Sequence, residues 1–154
     1  MQRLFYFVFI ALLAVSCSKD KTNSSPLTSI SYGTSFGMCV GHCKNELTVQ
    51  ENSSSLVRSS WNNDLEPIIC PIEVTDDEWN LLLQAVDHEE LEALPDIIGC
   101  PDCADGGAEW VSIQTADGFQ KKVTFEYTKT PASIAPLVER LRAIFQANEG
   151  CGNS

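Results

Sequence analysis

Histidine and basic side chains are scarce in this sequence. It has two histidines, His42 and His88, and ten Lys plus Arg against twenty-one Asp plus Glu, a formal net charge of −11. A cation deficit on that scale argues against a phosphate-tracking nucleic-acid surface and against a basic lipid-binding face. The acidity itself needs no more than solubility to explain it. The shortage of histidine also narrows the catalytic options. No G-x-S-x-G elbow, H-E-x-x-H helix or Gly-rich phosphate loop is present. Only His42 lies near a candidate nucleophile, Cys43, and neighbours on one short loop do not make a dyad unless their side chains face each other. His88 follows Asp87 and reads as a solvated residue at a helix end. No internal repeat is visible, and no apolar run reaches the roughly 20 residues that a spanning helix needs.

The most prominent apolar run, "LFYFVFIALLAV" from Leu4 to Val15, follows Arg3 and precedes Ser16 and Cys17. It fits the hydrophobic region of an export signal. The ending "LLAVSC" resembles the lipobox of bacterial lipoproteins, with Ala14 standing where Leu is commonest. The resemblance implies that residues 1–16 are removed as a lipoprotein signal peptide. Cys17 would then carry diacylglycerol on sulfur and an acyl chain such as palmitate on its new N-terminus. Two attachments anchor stably where a single chain would not. Residues 17–29 then read as the lipidated Cys and a flexible tether, because "SKDKTNSSPLTS" has too little apolar surface to fold. The expected address is the bacterial cell envelope, at the outer membrane through the N-terminal lipid. Which side of that membrane the chain faces stays open.

Residues 30–154 have the length of one ordinary domain with its own core. Ser29–Tyr32 could begin a strand, and the glycine-rich "GTSFGMCVGHC", Gly33 to Cys43, reads as a loop. Leu47 and Val49 alternate with polar neighbours, Asn52–Ser54 make a turn, and Leu56–Trp61 returns. Pro67 and Pro71 confine "EPIICPIEV" to a sheet edge. Thr75 and Glu78 form a capping box, followed by Trp79, Leu82, Leu83 and Val86 on one helical face. A short turn, "HEELEAL", stops at Pro95. Two alternating strands meet at Asp117-Gly118, with Val111, Ile113, Val123, Phe125 and Tyr127 toward the core. A final helix from near Pro131 carries Ile134, Leu137, Val138, Leu141, Ile144 and Phe145 as a stripe. Tight hairpins require a mostly antiparallel sheet. The predicted class is α+β, the sheet covered on one face by two helices as a two-layer sandwich.

The segments "SYGTSFGMCVGHCKNELTVQENSSSLV", "TDDEWNLLLQAVDHEELEALPD", "CPDCADGGAEWVSIQTADGFQKKVTFEY" and "IAPLVERLRAIF" resemble an uncharacterised bacterial family of secreted or lipidated domains of unknown function. Shared features are a phenylalanine-glycine-cysteine loop, a T-x-x-E-W helix, a leucine-proline-aspartate stop, and a last hairpin and helix. In the broader group the loop runs C-F-G-x-C, whereas here Ser35 replaces the first cysteine and Cys43 lies further on. The resemblance implies a fold class and carries no activity.

With Cys17 assigned to lipid, the remaining cysteines are Cys39, Cys43, Cys70, Cys100, Cys103 and Cys151. An even number in an exported domain favours disulfides. Cys39 and Cys43 form one close set, Cys100 and Cys103 of "CPDC" another. These sets could be disulfides, within each loop or between them. They could also be a tetrahedral Zn site of Cys39, Cys43, Cys100 and Cys103, with His42 as a substitute ligand. A redox dithiol at "CPDC" is the third reading. Asp102 between the sulfurs, and a strand rather than a helix after them, would raise the thiol pKa and oppose it. By elimination Cys70 pairs with Cys151, which can turn back onto the sheet behind Gly150. Asp102, Asp105 and Glu109 fail the EF-hand spacing for Ca²⁺, and Asp105-Gly106 reads as a turn. Trp79 belongs to the core stripe, and Trp61 and Trp110 are candidates for core filling or for a binding patch. The function expected from these features is non-enzymatic: a lipid-anchored binding or interaction module with a protein or small-molecule ligand. Thiol-disulfide or zinc chemistry at the four loop cysteines is the alternative.

Overall fold

The computed structural model describes residues 25–62 and 64–152. Cys17 and the lipobox lie outside the described residues, and among those described no helix is long and apolar enough to cross a membrane. Seven strands form one sheet in the order β4-β3-β2-β1-β6-β7-β5. The strands are β1 (Leu27–Ser35), β2 (Lys44–Val49), β3 (Ser54–Ser59), β4 (Ile68–Ile72), β5 (Ile97–Ile98), β6 (Ala108–Thr115) and β7 (Gln120–Glu126). All neighbours pair antiparallel except β5, which runs parallel to β7. The helices are α1 (Asp76–Ala85), α2 (His88–Ala93) and α3 (Ala135–Ala147). The class is therefore α+β with a mostly antiparallel sheet.

Period-2 burial sets the register. Leu56, Leu47, Tyr32, Val111 and Val123 stand opposite one another across β3, β2, β1, β6 and β7. Each is at most 1% exposed. They join one cluster with Trp79 and Leu82 of α1, Leu91 of α2, and Leu137, Val138 and Leu141 of α3. A one-residue slip would turn this whole row away from the core, so burial fixes the pairing. β4 carries Pro71 at the sheet edge, where its missing N–H breaks no ladder.

β1 takes in Leu27–Ser29, the end of the stretch read as tether, which pairs with Thr115 and Gln114 of β6. It also takes in Gly33–Ser35, which the glycine count had assigned to a loop. Gly33 is a strand residue because the Trp110 ring lies where a Cβ would stand, and only glycine allows that approach. The true loop is Phe36–Cys43. Trp110 is buried on the sheet face away from the core cluster, with the Lys122 ammonium 4.3 Å from its ring centroid.

The capping box is formed. The Thr75 Oγ1 accepts from Glu78 N–H at 3.2 Å, and Glu78 Oε2 accepts from Thr75 N–H at 2.9 Å. Asp87 caps α2 in the same way through Glu90 N–H at 3.0 Å, with His88 at the first helical position. α3 starts from a 3₁₀ turn, Ala132–Ile134, and packs on α1 and β1.

Candidate functional site

One row of the core-side sheet face breaks the apolar pattern. Arg58 (β3), Asn45 (β2), Thr34 (β1) and Glu109 (β6) stand in register, one pleat beyond Leu56, Leu47, Tyr32 and Val111. Glu109 shares the parity of Val111 and Ile113, so its carboxylate points inward and is 1% exposed. A charge there is tolerated only with partners. Tyr32 donates its hydroxyl to Glu109 Oε1 at 2.8 Å. Arg142 of α3 donates Nη2 to Glu109 Oε2 at 2.8 Å and to Thr130 Oγ1 at 3.0 Å.

These groups form the floor of a cavity of about 580 Å³ at the end of the sheet where β1 stops and α3 ends. Phe36, Tyr127 and Phe145 supply aromatic walls, and Arg58, Gln146 and Glu149 the polar ones. Phe36 and Tyr127 meet edge to face at 4.9 Å. Tyr127, expected in the core, is instead 38% exposed. β7 ends one residue before it, and Thr128 turns the chain with φ of 64°. Arg58 is fixed in place, with Nε donating to Asn45 Oδ1 at 3.0 Å and Nη1 to the Cys151 carbonyl at 2.8 Å. A second cavity of about 320 Å³, between α1 and α3, is lined by no fully buried polar group.

Burial pushes the Tyr32 phenol well above its ordinary value near 10. The Arg142 guanidinium opposes that rise, and the Glu109 carboxylate adds to it. Burial pulls Arg142 down, but the nearby Tyr32 oxygen and the Glu109 carboxylate outweigh that and hold it above its usual value. Tyr32 stays a neutral donor and Arg142 a cation across the physiological range.

The six cysteines among the described residues form three disulfides. Cys39 joins Cys43 with Cα atoms 5.7 Å apart, Cys100 joins Cys103 at 5.5 Å, and Cys70 joins Cys151 at 6.0 Å. The first two brace neighbouring loops, which are tied together where Gly37 N–H donates to Asp102 Oδ1 at 3.1 Å. His42 Nε2 lies 2.9 Å from the Glu66 carbonyl. Among the described residues no three His, Cys, Asp or Glu side chains converge as metal ligands. Asp102, Asp105 and Glu109 part company: Asp102 holds Gly37, Asp105 is exposed, and Glu109 belongs to the cavity. Trp61 is 49% exposed and donates Nε1 to the Phe36 carbonyl at 2.8 Å, beside the braced loop.

Sequence reasoning passed over Tyr32, Asn45, Arg58 and Arg142. The signal was available: Glu109 has the strand parity of Val111 and Ile113, and Arg142 lies four residues after Val138 and three before Phe145, on the apolar side of its helix. No family model matches this chain, and no curated protein matches it.

Proposed function

We propose that this chain is a lipid-anchored cell-envelope protein whose folded domain is a non-enzymatic binding module, with the Glu109–Arg142–Tyr32 cavity as its ligand site. The observation that carries the reading is the buried Glu109 carboxylate at the floor of that cavity. A buried ion pair adds little net stability over an apolar pair of the same volume, so its retention beside an open cavity is best explained by recognition. The cavity has the size of a small-molecule site, with aromatic walls and a few convergent polar groups. The six domain cysteines stand as three disulfide pairs, which supports a structural role for them; thiol-disulfide or zinc chemistry at Cys39, Cys43, Cys100 and Cys103 is the alternative reading.

The anchor is Cys17, in the resemblance of "LLAVSC" to a lipobox, and the membrane is the outer one. The helices form the second layer of a two-layer sandwich on one sheet face, and the cavity opens between the layers. β1 begins at Leu27 and meets the cavity at Tyr32 and Thr34, about 17–24 Å further along the strand. That geometry supports a site held at the end of the domain far from the tether. The likeness to secreted and lipidated domains of unknown function agrees with this reading.

Two measurements test it. Cys17→Ala should abolish labelling by a fatty-acid analogue and release the protein from membranes; a variant that keeps both refutes the anchor. A fragment and metabolite screen by NMR on the mature protein should find compounds that shift Tyr32, Arg58 or Arg142. A broad screen in which no compound moves any of them refutes the site.

A further inference from the structure

We infer that the cavity takes a small organic monocarboxylate with an apolar or aromatic body, and that Arg58 recognises its carboxylate. This rests on the cavity being the binding site and narrows its ligand. The two arginines there differ in one respect. Arg142 is neutralised by Glu109 at 2.8 Å. Arg58 meets only neutral acceptors, the Asn45 side-chain oxygen and the Cys151 carbonyl. No ion pair to it exists among the described residues. In a chain with twice as many acids as bases, a half-buried cation without an acid is unusual. Glu149 also lines the cavity, from the exposed turn after α3, but it makes no ion pair with Arg58.

The two bonds that Arg58 makes hold its guanidinium plane, so little side-chain freedom is lost when a ligand arrives. Its Nη2 has no acceptor among the described residues. A fixed fork with a free edge suits a carboxylate. Among the described residues Arg58 is the one cation of the lining without an acid in contact, and with Glu149 at the rim the lining's formal charge is zero, so it suits at most a monoanion, and no lysine lines the cavity to neutralise a second charge. The Phe36, Tyr127 and Phe145 rings would pack the remainder of the ligand.

The test uses the mature lipoprotein in neutral detergent micelles, labelled with ¹⁵N at arginine Nε. The arginines after Cys17 are Arg58, Arg140 and Arg142, and Arg140, which lines the second cavity, is the internal control. The probes are N-acetylphenylalanine, its uncharged primary amide, and inorganic phosphate. The acid should shift Arg58 saturably and leave Arg140 unmoved, while the amide should bind about tenfold more weakly or worse. Arg58→Gln should remove the preference for the acid. If that variant fails to fold, the acid and amide comparison on the unaltered chain still decides. An amide that binds as well as the acid, or phosphate that binds more tightly, overturns the carboxylate assignment and leaves the cavity as a site. If none of the three probes moves Arg58 or Arg142, the assignment is equally overturned, and the broader screen then decides separately whether the cavity binds anything.

Discussion

Removing Arg142 is expected to cost more stability than removing Glu109, and removing both is expected to cost less than the two losses added together. The asymmetry follows from exposure. The Glu109 side chain is 1% exposed and the Arg142 side chain 28%. Arg142→Met strands a carboxylate that is 1% exposed, with only the Tyr32 hydroxyl left to it. One-sided disruption of a buried pair costs about 3–5 kcal/mol, and this case belongs near the top of that range. Glu109→Gln keeps the shape and an acceptor for Tyr32. It leaves a guanidinium that still reaches Thr130 at 3.0 Å and partly reaches solvent, so about 2 kcal/mol is expected once exposure is discounted. In the double variant no charge is stranded, and about 2 kcal/mol again is expected. The coupling energy would then be about 4–5 kcal/mol. Urea unfolding with disulfides intact, followed by circular dichroism and tryptophan fluorescence, gives all four stabilities. Equal single costs, or a double cost equal to their sum, would place the pair with exposed salt bridges. The case for a built, buried-charge site would fall with it.

Three further outcomes are expected. Replacing Cys70 and Cys151 by Ala opens a link across 81 residues, which chain entropy values at about 4.5 kcal/mol; peptide mapping that joins either cysteine to another would remove the basis for that figure. Thr75→Ala deletes the α1 cap and should cost about 1 kcal/mol, so an unfolding midpoint that does not move would contradict the capping box. Tyr32 has its folded pKa raised, so its contribution is complete below the ordinary value near 10 and declines as pH rises from there toward the folded value, because the unfolded chain releases the proton first. Tyr32→Phe should lose the bond to Glu109 but show a shallower stability loss as pH rises above about 10; parallel profiles for the two proteins would refute it.

Local rules made much of the fold readable. Thr75 and Glu78 announce the start of α1, Asp117-Gly118 turns the last hairpin, and Pro67 and Pro71 mark an edge strand. Each of these is a short-range device whose partners lie within a few residues in sequence. Readings failed where a distant residue decided the outcome. Gly33 looks like a loop glycine until Trp110, far along the chain, is seen to occupy the space of its missing side chain. β5 has two residues and exists only because β7 offers an edge to pair with. No periodicity can be read from a segment that short.

The candidate site was hidden for a different reason. Its signals were present but lay on elements that an apolar count alone describes well. Counting Val111 and Ile113 as inward commits Glu109 to the same face, because strand parity does not relax for a charge. Counting Val138 and Phe145 as one stripe commits Arg142 to its margin. An acid and a base that periodicity sends to the core side of two elements must meet or be paid for in desolvation. Their meeting could therefore have been expected once the two elements were known to pack together. Which elements pack is a tertiary fact, and here α3 lies against β1, next to β6. Arg58 is harder still. It stands on a strand whose two faces alternate Leu56 with Val57, and only the register with Asn45 and Thr34 shows that it joins the polar row. The attention that cysteine spacing attracts went to the two braced loops. The structure makes those loops the neighbours of the cavity, with Phe36 running from one of them into its wall.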